Sequence, residues 1–135
     1  MATAMDKLRF LIVEDEAIVA RDIHMQLVEL GYDPVGKASR GEEAVVLAGE
    51  LRPDLVLMDI QLKGKMDGIA AAEAIRTQFS LPVVFLTASA EGDPKVAMLT
   101  EPFGCIRKPF LEADLRTAIE MALSKHKAEA TRRAK

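Results

Sequence analysis

The chain has 135 residues, half of them apolar, which is enough for one hydrophobic core and too little for two ordinary domains. A formal net charge of -3, with no basic face studded by aromatics, argues against a dedicated nucleic-acid binder, whose hold on phosphate comes from clustered Lys and Arg. The single cysteine, Cys105, excludes an internal disulfide framework and a four-ligand zinc site and fits a reducing, cytoplasmic setting.

In chain order, residues 1–7 read as a flexible N-terminus: the start MATAMDKLRF lacks the apolar stretch of a signal peptide. The run Phe10-Leu11-Ile12-Val13 predicts a buried strand. Val19, Ile23, Leu27 and Leu30, at i, i+4, i+8 and i+11, predict a helix that Gly31 stops. Pro34 to Ala38 is short and holds Pro and Gly, as an edge strand does. Ala44, Leu47, Ala48 and Leu51 repeat the helical spacing before Pro53. Pro53-Asp54 opens a second apolar run, Leu55-Val56-Leu57-Met58, and Asp67-Gly68 is turn chemistry ahead of a helix carrying Ala72, Ile75 and Phe79.

A third apolar run follows at Val83-Val84-Phe85-Leu86. Beyond it Glu91-Gly92-Asp93-Pro94 interrupts the pattern. Pro94 can open a helix but not continue one, so a helix from there to Thr100, closed by Pro102, has about two turns and depends on tertiary contacts. Cys105 to Arg107 predicts a second edge strand, and Leu111, Leu115, Ala118, Ile119, Ala122 and Leu123 a long final stripe. Lys125 to Lys135 carries five Lys/Arg against one acid, Glu129, and reads as a frayed, solvated helix end; the domain proper is expected over 8–124. No apolar run approaches the roughly 18 to 20 residues of a membrane span.

None of the three apolar runs alternates with polar residues, so both faces must be covered, as in a parallel sheet flanked by helices. Strand and helix alternate five times. That predicts an α/β, doubly wound (βα)5 domain, and three central plus two edge strands suit the 2-1-3-4-5 order of flavodoxin-like sheets.

What terminates each strand is the chemical signal: Glu14-Asp15 after the first, Asp59 after the third, Thr87 after the fourth, Lys108 after the fifth. One polar residue at a strand end carries little, because the chain must leave the core somewhere. Together they form a coherent set at the edge where open parallel sheets bind ligands. Asp15 and Asp59 on neighbouring strands repel unless a cation sits between them, and hard oxygen donors without histidine select magnesium over zinc. Asp59 is a carboxylate nucleophile for phosphorus, Lys108 a counter-charge for the transferred group, and the Thr87 hydroxyl a hydrogen-bond donor to one of its oxygens. His24 and His126 have no partner at catalytic or metal spacing.

The motifs VEDE at 13–16, PDLVLMDIQL at 53–62, MDGI at 66–69, PVVFLTA at 82–88 and KPF at 108–110 make residues 8 to 124 similar to receiver domains of two-component response regulators. The resemblance implies a phosphoprotein that accepts a phosphoryl group on Asp59 from a histidine kinase or histidine phosphotransfer protein. It implies Mg2+ held by Asp15, Asp59 and the Gln61 backbone carbonyl with Glu14 in support, Thr87 and Lys108 as the phosphate-sensing pair, and a cis bond between Lys108 and Pro109. Such a domain catalyses its own phosphorylation and dephosphorylation but serves signalling rather than metabolism.

Two features depart from that family. Cys105 stands three residues before the lysine, where receivers carry Tyr or Phe, and a thiol has no ring to swing; the nearby Phe103 could offer a substitute contact. The interrupted segment around Pro94 unsettles the surface next to it. A phosphorylation-independent receiver-like interaction or dimerisation module is therefore the alternative. An aspartate-nucleophile phosphatase is disfavoured, since it wants a second acid where Gln61 stands. With no output domain expected after the last helix, signalling passes through protein contact. Apolar residues on that helix serve a homodimer or packing on the sheet equally well.

Overall fold

A computed structural model describes residues 7–87, 104–108 and 110–134. Strands β1 (Arg9–Val13), β2 (Asp33–Ala38), β3 (Leu55–Asp59), β4 (Val83–Thr87) and β5 (Gly104–Arg107) form one parallel sheet in the order β2-β1-β3-β4-β5. The described helices are α1 (Ala17–Glu29), α2 (Gly41–Leu51), α3 (Gly68–Phe79) and α4 (Glu112–Ala134). The short helix expected over 94–100, with Pro102 and Phe103, lies outside the described residues.

The lack of alternation in the apolar runs has its cause in two cores. Phe10, Ile12, Leu55, Leu57, Val84 and Leu86 turn to one face and pack with Ala20, Ile23 and Leu27 of α1 and Leu115 and Ile119 of α4. Their neighbours Leu11, Val13, Val56, Met58, Val83 and Phe85 turn to the other, against Ala44 and Ala48 of α2 and Ala71, Ala72 and Ile75 of α3. Side chains of a strand alternate between faces, so covering both leaves no polar position. Each buried Leu, Ile or Phe contributes about 1.5–3 kcal/mol. The edges are weaker, as the sequence predicts: β2 is largely half-buried, and its pairing slips between Phe10 and Leu11.

Helix ends follow local chemistry. Gly31 takes φ +90° just past α1, where Tyr32 N donates to Leu27 O at 2.9 Å. Arg52 and Ser80 close α2 and α3 in the left-handed region at φ 48° and 56° without the aid of glycine. Asp67 caps α3, its Oδ1 accepting from Ala70 N at 2.8 Å. Two expectations about the last helix change. Leu111 lies ahead of α4 and is 73% exposed, so the buried stripe begins at Leu115. The segment from Lys125 continues α4 as far as Ala134, with Lys125 and His126 half-buried. Among the described residues no helix is long and apolar enough to cross a membrane.

Candidate functional site

The fold gathers the strand-end residues at one edge. Glu14 and Asp15 follow β1, Asp59 and Thr87 close β3 and β4, and Lys108 follows β5. β1 pairs with β2 on one side and β3 on the other, so successive connections leave it in opposite directions and open a crevice between the tips of β1 and β3.

The carboxylates of Glu14, Asp15 and Asp59 each offer an oxygen, all within 4.8 Å of one another. Glu14 and Asp59 are buried and Asp15 half-buried. Lys108 reaches in from the other side: its Nζ donates to Glu14 Oε1 at 2.6 Å and lies 3.6 Å from Asp59 Oδ2. The remaining Glu14 oxygen accepts from Glu16 N at 3.2 Å, and Asp59 Oδ1 from Gln61 N at 3.0 Å. Lys108 N also donates to Thr87 O at 2.7 Å, tying the lysine to the end of β4.

Charge is poorly balanced in this space. Burial, and secondarily Asp59, push the Glu14 carboxyl above its ordinary range, although the Lys108 hydrogen bond pulls it down. Burial works against the Lys108 ammonium, but the Glu14 hydrogen bond and the charges of Asp59 and Glu14 outweigh it and hold the lysine above its ordinary value. Among the described residues three carboxylates thus face one ammonium, and the candidate metal donors are oxygen alone. That set fits a hard divalent cation of the magnesium type, which binds through one or two carboxylates and keeps several waters.

Sequence reading treated Gly68 as part of a turn and missed its main role. A Cβ there would stand 2.1 Å from the Asp59 carbonyl oxygen and 2.9 Å from Ile60 Cα, so only glycine lets the start of α3 lie against the peptide of Asp59. The signal was present as a glycine at the first position of a helix. Cys105 lies opposite Phe85 in the sheet and is half-buried beside the α2–α3 core; burial pushes its thiol up, as for a small strand residue. Neither His24 nor His126 joins the acidic cluster, and Pro109, with its expected cis bond, lies outside the described residues.

A family model described as the response regulator receiver domain matches residues 10–120. The chain belongs to this family. The receiver is 42% identical over 118 residues to the transcriptional regulatory protein PdtaR of Mycobacterium tuberculosis, covering 87% of this chain and 57% of that protein. It is 38% identical over 118 residues to the phyllosphere-induced regulator PhyR of Methylorubrum extorquens, covering 84% and 42%. The chain therefore spans about half the length of the curated relatives it matches.

Among solved structures, the signal receiver domain of a modulated diguanylate cyclase from Desulfovibrio desulfuricans G20 superposes with a TM-score of 0.83 at 41% identity, covering 92% of this chain and 99% of that one. The receiver domain of PhyR from Erythrobacter litoralis gives 0.76 at 36%, covering 89% and 92%. The flavodoxin-like (βα) sheet expected from the sequence is thus the fold of the family. Function follows at the same level: this is a receiver of the two-component type, a class that interacts with kinases or phosphotransfer proteins, and the phosphorylation-independent alternative is not favoured.

Proposed function

We propose that Asp59 is the phosphoacceptor of this receiver and that its donor is a phosphohistidine on a sensor histidine kinase or phosphotransfer protein. A carboxylate oxygen of Asp59 attacks phosphorus, the phosphorus–nitrogen bond of the donor breaks, and the imidazole leaves with the electron pair, regaining a proton from water. Lys108, within 3.6 Å of Asp59 Oδ2, balances charge on the incoming phosphoryl group, and the hydroxyl of Thr87 donates to one of its oxygens. Asp15, Asp59 and the Gln61 carbonyl would hold Mg2+, with Glu14 in support; the ion would supply charge neutralisation at the phosphoryl oxygens. Hydrolysis of the acyl phosphate by water resets the domain.

The observation that supports this reading is the meeting of a buried nucleophile with two more carboxylates inside 4.8 Å and with a lysine, at the strand edge where ligands bind. Phosphorylation then shifts Lys108 and Thr87 and changes which protein surface is presented. With Cys105 in place of an aromatic ring, that shift is transmitted without a ring swinging inward at position 105. The phospho-accepting unit comprises residues 8–124, and its setting is the cytoplasm, where the lone cysteine stays reduced.

The test is the intact mass of wild type and Asp59→Asn after exposure to acetyl phosphate with and without Mg2+. A magnesium-dependent gain of one phosphoryl group, absent from the variant, is expected. A folded wild type that gains none, from this donor or a kinase, overturns the proposal.

A further inference from the structure

We propose that Glu42, in the first turn of α2, is a positioning residue for the phosphoacceptor: its carboxylate holds the β3–α3 loop in the form that keeps Asp59 and Gln61 in register. This rests on Asp59 being the acceptor. Residues 60–67 leave the end of β3 and return to α3. Their near end is fixed to the sheet and the site, with Ile60 N donating to Leu86 O at 3.1 Å and Gln61 N to Asp59 Oδ1 at 3.0 Å. Their far end is fixed by Gly68 N donating to Ile60 O at 3.1 Å. Between these points Lys63, Gly64 and Lys65 are exposed, and Gly64 turns the chain at φ +106°.

The tie from this stretch to α2 is Met66, whose N–H donates to Glu42 Oε1 at 3.0 Å across 24 positions of sequence. The joint is close on both sides. A Cβ on Gly41 would lie 2.6 Å from Met66 O and 2.9 Å from Met66 Cγ, and one on Gly64 would lie 3.8 Å from Glu42 Oε1. Met66 in turn packs against the core that includes Met58 and Leu62. Without the Glu42 carboxylate, the loop loses its anchor at Met66, one residue before the α3 cap Asp67, and the Gln61 peptide, which must serve Asp59 with its N–H and the ion with its carbonyl, loses support from that side. One hydrogen bond of this kind changes an equilibrium by about two- to tenfold.

The same helix turn supplies a control. Glu43 carries the same charge, but its Oε1 accepts from Ser39 N at 2.9 Å and so serves the β2–α2 connection. The experiment measures initial rates of phosphorylation by acetyl phosphate across a Mg2+ titration for wild type, Glu42→Ala, Glu42→Gln and Glu43→Ala, with hydrogen exchange at the Met66 amide and thermal melts alongside. Glu42→Ala should need about two- to tenfold more Mg2+ for half-maximal rate and exchange faster at Met66. Glu42→Gln, whose amide oxygen accepts the same bond, should restore both, and Glu43→Ala should leave both unchanged. A wild-type Mg2+ dependence in Glu42→Ala overturns the positioning role alone. So does an equal shift in Glu43→Ala, or a failure of glutamine to rescue, because either would trace the effect to helix charge. A wild type that accepts no phosphoryl group overturns the acceptor assignment and this role with it.

Discussion

Replacing Lys108 with methionine removes the ammonium and keeps most of the stem, which isolates the charge. Nζ sits 2.6 Å from Glu14 Oε1 and 3.6 Å from Asp59 Oδ2. At an effective dielectric of about 20, a pair at the longer distance attracts by roughly 5 kcal/mol before the cost of desolvation. Removing one partner of a buried pair typically costs about 3–5 kcal/mol, because the other charge is left stranded. Since 16% of the lysine side chain still meets water while the Glu14 side chain meets none, the lower end applies. Lys108→Met should therefore lose about 3 kcal/mol in a chelator, a fall in Tm of about 10 °C. Mg2+ should narrow the gap, as a cation among the same carboxylates replaces the missing charge and stabilises the native state by mass action. Glu14→Gln combined with Lys108→Met should be less destabilised than Lys108→Met alone. Urea titrations of the wild type and these two variants, with EDTA and with Mg2+, read all of this. A Lys108→Met protein within about 0.5 kcal/mol of wild type in EDTA, or one indifferent to Mg2+, would refute the charge argument.

Gly68→Ala pushes a methyl group against the Asp59 carbonyl, and overpacking at backbone should cost about 1–3 kcal/mol in urea unfolding while also slowing acceptance at Asp59. Unchanged stability would mean that α3 moves aside freely. For Cys105, burial raises the thiol above its ordinary value of 9.0, so the native chain should react with iodoacetamide more slowly than the urea-unfolded chain at about pH 8. The neutral thiol's contribution to stability is fully present below the unfolded pKa and is lost as pH rises through the folded one. Equal alkylation rates in the two states would show that water reaches the sulfur.

Strands were legible because three of them are apolar on both faces, a pattern that neither a surface helix nor a half-solvated sheet produces. Residues of the candidate site were legible for a related reason: Glu14, Asp15, Asp59 and Thr87 end runs that are otherwise apolar, while Lys108 follows a short edge strand that itself holds Arg107. What sequence pattern could not supply was contact between segments. Gly41 and Gly68 look like ordinary helix starts until the chain approaching each one is known. The partnership of Lys108 with Glu14 was likewise hidden, since spacing gives the strand on which a charge sits but not which acid it reaches first. Leu111 was misassigned because its spacing continues the stripe of α4 by one turn, while the helix begins only at Glu112. Lys125 onward lacks an apolar stripe, yet it remains helical as the continuation of a helix already nucleated and packed upstream.

The bond between Lys108 and Glu14 spans 94 positions. Closing so long a loop is entropically costly and belongs to the slow part of folding, all the more in a parallel sheet whose pairings are non-local. A ribosome delivers β1 and β3 well before β5, so an emerging chain holds its acids for a time without the lysine that answers them. The charge balance of the acidic cluster is thereby linked to completion of the sheet: among the described strands, the last to be synthesised is the one that delivers Lys108 to those acids.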